Sequence, residues 1–291
     1  MSYYLERIQR GVDFIESKLD EDVVLSAVAR EAGLSQWHFQ RIFKALTGET
    51  LKTYIRSRRL AASLERLLTT NLRVLDIALL AGFESQEAFA RAFKASFGIS
   101  PLSYRKLGKR SLFLRKPQFD SGYLAQLQKN PSLEPTFIEE PARVLVGVRT
   151  TFFGTGSEKN NFSARLPALW AEFTPHMHEI PARDDTAAYG VVRQCSEADE
   201  ELEYHAACIV SSLGAIPGGM RVLELPRTRY ARFSHRGPAE ELDRTVSYAY
   251  ATWLAGSGLR HSGGADLEIY GAEYHPTSPD SLIEYAIPLA D

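Results

Sequence analysis

"SQWHFQRIFKALTG", Ser35 to Gly48, and "SQEAFARAFKASFG", Ser85 to Gly98, are two versions of one phrase set 50 residues apart. They share Ser, Gln, Phe, Arg, Phe, Lys, Ala and Gly at matching places. In the first, Phe39, Ile42, Phe43 and Leu46 recur at i, i+3, i+4 and i+7, the spacing of a helix that buries one stripe. Gln36, Trp37, Gln40, Arg41 and Lys44 then share the opposite side. The second copy turns Phe89, Ala92 and Phe93 inward and Gln86, Glu87, Ala90, Arg91 and Lys94 outward.

Each copy follows a short helical pattern ending in Ala-Gly: "LSAVAREAGLS" (Leu25–Ser35) and "VLDIALLAGFES" (Val74–Ser85). Gly33 and Gly82 suit a turn position with positive φ, and Ser35 and Ser85 can cap the helix that follows. Helix, glycine turn, amphipathic helix is a helix-turn-helix, here stated twice. Between the copies, "LKTYIRSRRLAASLERLLTTN" (Leu51–Asn71) predicts one long helix that fixes their spacing.

A helix-turn-helix sets its second helix in the DNA major groove, and grooves on one face recur about every 34 Å. Two such helices in one chain can read two adjacent segments. Gln pairs with adenine and Arg with guanine, and an exposed Trp37 can pack on sugar or a thymine methyl. Trp37 has a second reading as a packing residue, and an outward Gln, Arg and Lys can be no more than a solvated face. Copying of the surface residues together with the core ones favours DNA. Lys44, Lys94, Arg56, Arg58 and Arg59 suit phosphate contacts, which position without specifying.

Charge divides along the chain. Lys and Arg outnumber Asp and Glu by 8 from Met1 to Lys116, while the remainder is net −10. A basic first part joined to an acidic second part fits a polyanion-binding module coupled to one that avoids polyanions. The length of 291 residues suggests two domains, and 44% hydrophobic with 24% charged residues suits a globular protein. With no apolar run of membrane-spanning length and no signal-peptide pattern, a cytoplasmic protein is expected. Cys195 and Cys208 read as reduced thiols in strands or core, and no metal site or cofactor is expected.

Residues 25–105, with "IALLAGFESQEAFARAFKASFGISPLSYR" (Ile77–Arg105) as the most specific stretch, resemble the DNA-binding domain of the AraC/XylS family of transcription regulators. The resemblance implies base- or backbone-facing roles for Trp37, Gln40 and Arg41 in the first reading helix and for Gln86, Glu87, Ala88 and Arg91 in the second. Glu87 can accept from cytosine and Ala88 can only touch a methyl, so the second half-site is this chain's own.

"KLGKRSLFLRKPQFDSGYLAQLQKNPSLEP" (Lys106–Pro135) reads as a linker with a basic beginning. Beyond it, "ARVLVGVRTTF", "FSARLPALWAEFTPHM", "TAAYGVV" and "LEYHAACIVSS" predict strand, helix, strand, strand. "TRYARFSHRG", "PAEELDRTVSYAYATWLAGSG", "DLEIYGAEY" and "LIEYAIPL" repeat that order. The expected fold is therefore two domains: an all-α tandem helix-turn-helix over 1–108, a linker over 109–135, and an α+β domain over 136–291. The last is built of duplicated β-α-β-β units, an antiparallel sheet with helices on one face.

"RVLVGVR", "YARFSHRGPAEEL", "DLEIY" and "LIEYAIPL" resemble the GyrI-like effector-binding domain, and the combination resembles Rob-like regulators. Members of that family set an acidic residue in an aromatic-lined cleft. The resemblance points to Glu268, with Glu284 second, and Tyr189, Tyr204, Tyr230, Tyr270, Trp170 and Trp253 are the aromatics available to line it. The expectation is a sequence-specific regulator, not an enzyme, that binds double-stranded DNA and senses a cationic or amphipathic organic molecule. RNA polymerase is an expected partner if the chain activates transcription. A hydrolase using Glu268 and a nearby Tyr, or a protein-interaction module, are the alternatives for the second domain. His38 and His235 lack catalytic partners at telling spacings and read as hydrogen-bonding residues.

Overall fold

A computed structural model describes residues 3–108, 134–195, 200–276 and 278–290. Seven helices build the first part: α1 (Tyr3–Ser17), α2 (Leu25–Ala32), α3 (Gln36–Thr47), α4 (Leu51–Thr69), α5 (Val74–Leu80), α6 (Gln86–Phe97) and α7 (Pro101–Leu107). The local chemistry of the repeated phrase is borne out at each turn. Gly33 and Gly82 take φ of 64° and 77°, and the Ser35 and Ser85 side chains accept from the backbone N–H of His38 and Ala88. The helix between the copies runs unbroken over 19 residues, capped by Thr50.

Helix α1, unassigned in the sequence, buries Tyr4, Leu5, Ile8, Val12 and Ile15 and packs on α2. Full burial of each such aliphatic side chain stabilises by roughly 1.5–3 kcal/mol. Arg58 and Arg59 hold α1 and the loop after it. Arg58 Nε donates to Glu16 Oε1 at 2.7 Å, and Arg59 donates to the Leu19 and Glu21 carbonyls.

The second part is one eight-stranded sheet of order β1-β6-β8-β7-β3-β4-β2-β5 with antiparallel pairing between every neighbouring pair. Its strands are β1 (Thr136–Glu140), β2 (Arg143–Phe152), β3 (Arg183–Gln194), β4 (Leu202–Val210), β5 (Arg221–Leu225), β6 (Thr228–Arg236), β7 (Asp266–Tyr270) and β8 (Leu282–Leu289). Helix α8 (Phe162–Phe173) follows β2. Helix α9 (Leu242–Tyr248) follows β6 and continues through a π-helical stretch, Ala249–Leu254, and a last turn, Ala255–Ser257. The duplicated strand-helix-strand-strand order is present.

Sequence reading missed the two edge strands, β1 and β5, each of five residues. They cross between halves: β1 pairs with β6, and β5 pairs with β2. The halves meet where β3 lies beside β7, with Gly190 opposite Glu268. The expected linker lies outside the described residues apart from Glu134 and Pro135. Cys208 is buried on β4, whereas Cys195 lies exposed just beyond β3, and neither forms a disulfide. No helix among the described residues is long and apolar enough to cross a membrane.

The cores do not divide at the linker. One continuous core holds α1 to α3, the start of α4, the inner faces of α8 and α9, and the sheet face beneath them. The second helix-turn-helix keeps its own core of Leu60, Leu64, Leu67, Ile77, Phe83, Phe89, Phe93 and Tyr104. Helix α3 is therefore packed into the sheet domain, and the second helix-turn-helix stands apart from it.

Candidate functional site

Strand β7 carries the chemistry. Its two-residue alternation puts Asp266, Glu268 and Tyr270 on one face, with the two carboxylates about 7 Å apart along the strand. The Tyr204 hydroxyl donates to Glu268 Oε2 at 2.5 Å and the Tyr270 hydroxyl donates to the same oxygen at 2.7 Å. Trp170 Nε1 donates to the Tyr204 oxygen at 2.9 Å, and the Trp170 ring meets Tyr270 edge to face at 5.0 Å. Tyr274 closes on Tyr270 at 4.7 Å. Burial pushes Glu268 above the ordinary carboxylate range, against the two tyrosine hydrogen bonds and the charge of Arg41. Burial and the Glu268 charge raise both tyrosines well above their ordinary value, so they remain neutral donors.

Gly190 permits this cluster. A Cβ there would stand 2.1 Å from the Tyr204 hydroxyl and 2.6 Å from Glu268 Oε2, so a side chain at this position forces those two groups to shift.

Asp266 forms a second, fully buried acid that sequence reading missed. It accepts from the hydroxyls of Tyr250 and Tyr285 and is joined to His261 Nε2 at 2.9 Å. The quoted "DLEIY" contained the signal, since Asp and Glu two apart share one face of a strand. Tyr250, Tyr285 and His261 come from other elements, and no local pattern announces them.

Glu268, Tyr204, Tyr270 and Trp170 are thus brought together. The other aromatic and acidic candidates are not. Glu284 points to the opposite sheet face and pairs with Arg232 at 2.9 Å. Tyr189 and Tyr230 also lie on that face, around a small pocket with Arg143 and Leu267. Trp253 packs on Phe233 at 5.2 Å and Phe137 at 6.0 Å, beside the far strands β6 and β1. The reason is strand parity and sheet position: aromatic content alone does not say which face a residue takes. His235 is buried and bonded to Thr245 Oγ1.

The two reading helices differ in surroundings. On α6, Gln86, Glu87, Arg91 and Lys94 are exposed and Ala88 is half-buried. On α3, Gln36, Trp37 and Gln40 are buried at 7%, 4% and 8% exposure, which corrects the expectation of an open face. Gln40 Nε2 donates to Glu200 Oε2 at 3.1 Å, and Lys44 donates to the Thr155 carbonyl. Trp37 lies 5.9 Å from Tyr250, and His38 stacks edge-on to His261 at 4.3 Å. Arg41 stands 5.2 Å over the Tyr250 ring and 3.7 Å from Asp243 Oδ1. The stripe faces away from its own helical bundle, but the second domain of the same chain covers it. Among the expected phosphate anchors, Arg56 and Lys94 are exposed, while Arg58, Arg59 and Lys44 are engaged within the protein.

Residues 28–107 match a helix-turn-helix domain model, and residues 133–290 match the GyrI-like small molecule binding domain. The right origin-binding protein of Escherichia coli is 30% identical over 264 residues, spanning 88% of this chain and 87% of its own. The chain belongs to the AraC/Rob family of DNA-binding transcriptional regulators. This Rob relative is also 29% identical to the transcriptional regulator Rob of Salmonella typhimurium, over 95% of both chains. The HTH-type transcriptional activator AarP of Providencia stuartii is 43% identical over 107 residues, 36% of this chain and 79% of its own. A solved structure of SAV2435 bound to tetraphenylphosphonium overlays 54% of this chain and 94% of its own, at 15% identity and a TM-score of 0.45. Among the described residues, no three His, Cys, Asp or Glu side chains are grouped to hold a metal.

Proposed function

We propose that this regulator senses a cationic or amphipathic organic molecule at the acidic, aromatic cluster around Glu268 and couples its binding to DNA reading by α3 and α6. The observation that carries the reading is the partly buried Glu268 carboxylate, held by two tyrosine hydroxyls beside Trp170. A carboxylate among aromatic faces favours a flat or lipophilic cation over an anion, because ring faces and carboxylate attract the same charge. The exposed Gln86, Glu87 and Arg91 of α6 supply base-edge chemistry for one half-site, and Gln40 and Arg41 of α3 for the other. Similarity to the activator AarP supports recruitment of RNA polymerase at its promoters.

Selection of bound sequences from random duplex DNA, with and without a pool of lipophilic cations, tests the coupling. An asymmetric site spanning two groove segments, with occupancy that changes in the pool, is expected. Arg91→Ala then costs about 1–3 kcal/mol at that site and little on random DNA. Calorimetric titration with rhodamine 6G tests that cluster as the site, and heat undiminished in Glu268→Gln would refute it.

A further inference from the structure

Three features of the α3 interface point one way. First, Arg41 is a cation from a DNA-reading helix that lies against the acidic, aromatic wall of the sheet domain. Its guanidinium stacks on Tyr250, whose hydroxyl donates to Asp266, and approaches Asp243 at 3.7 Å, with Asp266 and Glu268 within reach of its charge. Second, the same helix face that would enter a major groove is closed by these contacts, with Gln40 bonded to Glu200 and Trp37 against Tyr250. Third, the closure is imperfect. Trp37 Nε1, His38 Nε2 and Arg41 Nε are buried with no hydrogen-bond partner among the described residues. Unmet buried polar groups oppose an interface, so this one is suited to opening. Burial, then His261 and Arg41, push His38 well below its ordinary pKa, so no charge on it helps the closure.

We propose that Arg41 is a tethered cation held against the acidic, aromatic cluster of Tyr250, Asp266 and Glu268, so that a cationic effector and the first reading helix compete for the same surface. In the closed chain α6 is free to meet DNA and α3 is not. An effector that neutralises Glu268 and the wall around it displaces Arg41, frees Gln40, Arg41 and Lys44 together, and changes the protein from a one-helix to a two-helix reader. The inference rests on the reading of Glu268 as a cation site, and it adds the source of the coupling. Because the closed form withholds the site, apparent effector affinity is the intrinsic affinity reduced by the open fraction.

The test uses the full chain, rhodamine 6G as the cation, and duplex DNA carrying the selected two-segment site. Asp243→Asn removes the acidic partner of Arg41 without altering any reading residue. It is expected to bind this DNA about tenfold more tightly than the native chain without dye, and to respond less to dye. Arg41→Ala is expected to bind rhodamine 6G about tenfold more tightly than the native chain, and Glu268→Gln to lose that binding in either background. Hydrogen exchange along α3 should rise when dye is added to the native chain.

Native DNA affinity in Asp243→Asn, together with native dye affinity in Arg41→Ala, overturns the competition while leaving the cation site intact. Dye binding indifferent to Glu268→Gln overturns the cation site itself. Absence of dye binding in both the native chain and Arg41→Ala also overturns the cation site. Tighter DNA binding by Asp243→Asn then still supports the docking of α3.

Discussion

The guanidinium carbon of Arg41 stands 5.2 Å from the centre of the Tyr250 ring, which joins helix α3 to the sheet domain. Tyr250 in turn donates to Asp266, two residues from Glu268 on the same face of β7. Tyr250 thus links Arg41 of α3 to the acidic face of β7, beside the contacts of Gln40 with Glu200 and Arg41 with Asp243.

Cation binding should depend on pH through Glu268. Burial raises its pKa above the ordinary 4.5, against hydrogen bonds from Tyr204 and Tyr270 and the charge of Arg41. A cation prefers the ionised form, so affinity for rhodamine 6G falls as pH is lowered and the loss begins above pH 4.5. It recovers as pH rises past the folded value. In Glu268→Gln both the affinity and its slope with pH should be gone, and a surviving slope would assign the titration to another group.

Gly190→Ala should disturb the Tyr204–Glu268 cluster without adding any charge. The new Cβ meets the Tyr204 hydroxyl and Glu268 Oε2 far inside contact distance. Overpacking of this kind costs about 1–3 kcal/mol, read as a lower unfolding midpoint, and dye binding should weaken with it. An unchanged midpoint with full dye binding would show that the strands yield there.

Glu203 governs stability in acid. It is buried, which opposes its charge, yet hydrogen bonds from His205 and Arg193 outweigh this and hold it at about 2. Arg149 reaches its other oxygen at 2.5 Å. The folded value lies below the ordinary 4.5, so the contribution is complete above that pH and is lost as pH falls towards 2. Urea unfolding across this window should show a shallower acid loss in Glu203→Gln than in the native chain, whose stability at neutral pH should be the higher.

Arg58 and Arg56, two residues apart on α4, should separate cleanly. Arg58 is clamped to Glu16 through Nε at 2.7 Å and Nη2 at 3.0 Å, whereas Arg56 is exposed above Phe83. Arg58→Ala leaves the half-buried Glu16 carboxylate without its ion-pair partner, held only by the Tyr54 hydroxyl bond at 2.9 Å among these contacts, and should lower stability by about 1–3 kcal/mol. Arg56→Ala should leave stability nearly unchanged and reduce the salt slope of DNA binding by about one. The reverse pattern would make Arg58 the phosphate contact.

The amino-acid sequence by itself determined the local elements. Apolar spacing, the glycines at positive φ and the serine caps specify the two helix-turn-helix units, because these are interactions between residues a few positions apart. Strand alternation likewise specifies the two β-α-β-β units, and with them the face that Glu268 shares with Tyr270. Tertiary structure alone decided what those faces meet. The edge strands β1 and β5 cross between halves, and Asp266 gains its partners from the π-helical stretch, from β8 and from the loop carrying His261. The outward face of α3 is covered, while that of its copy α6 is open. A helix with an amphipathic pattern reports which side leaves its own bundle. Whether water, DNA or another domain then meets that side depends on contacts between residues more than a hundred positions apart, such as Gln40 with Glu200. No periodicity within a single element encodes them.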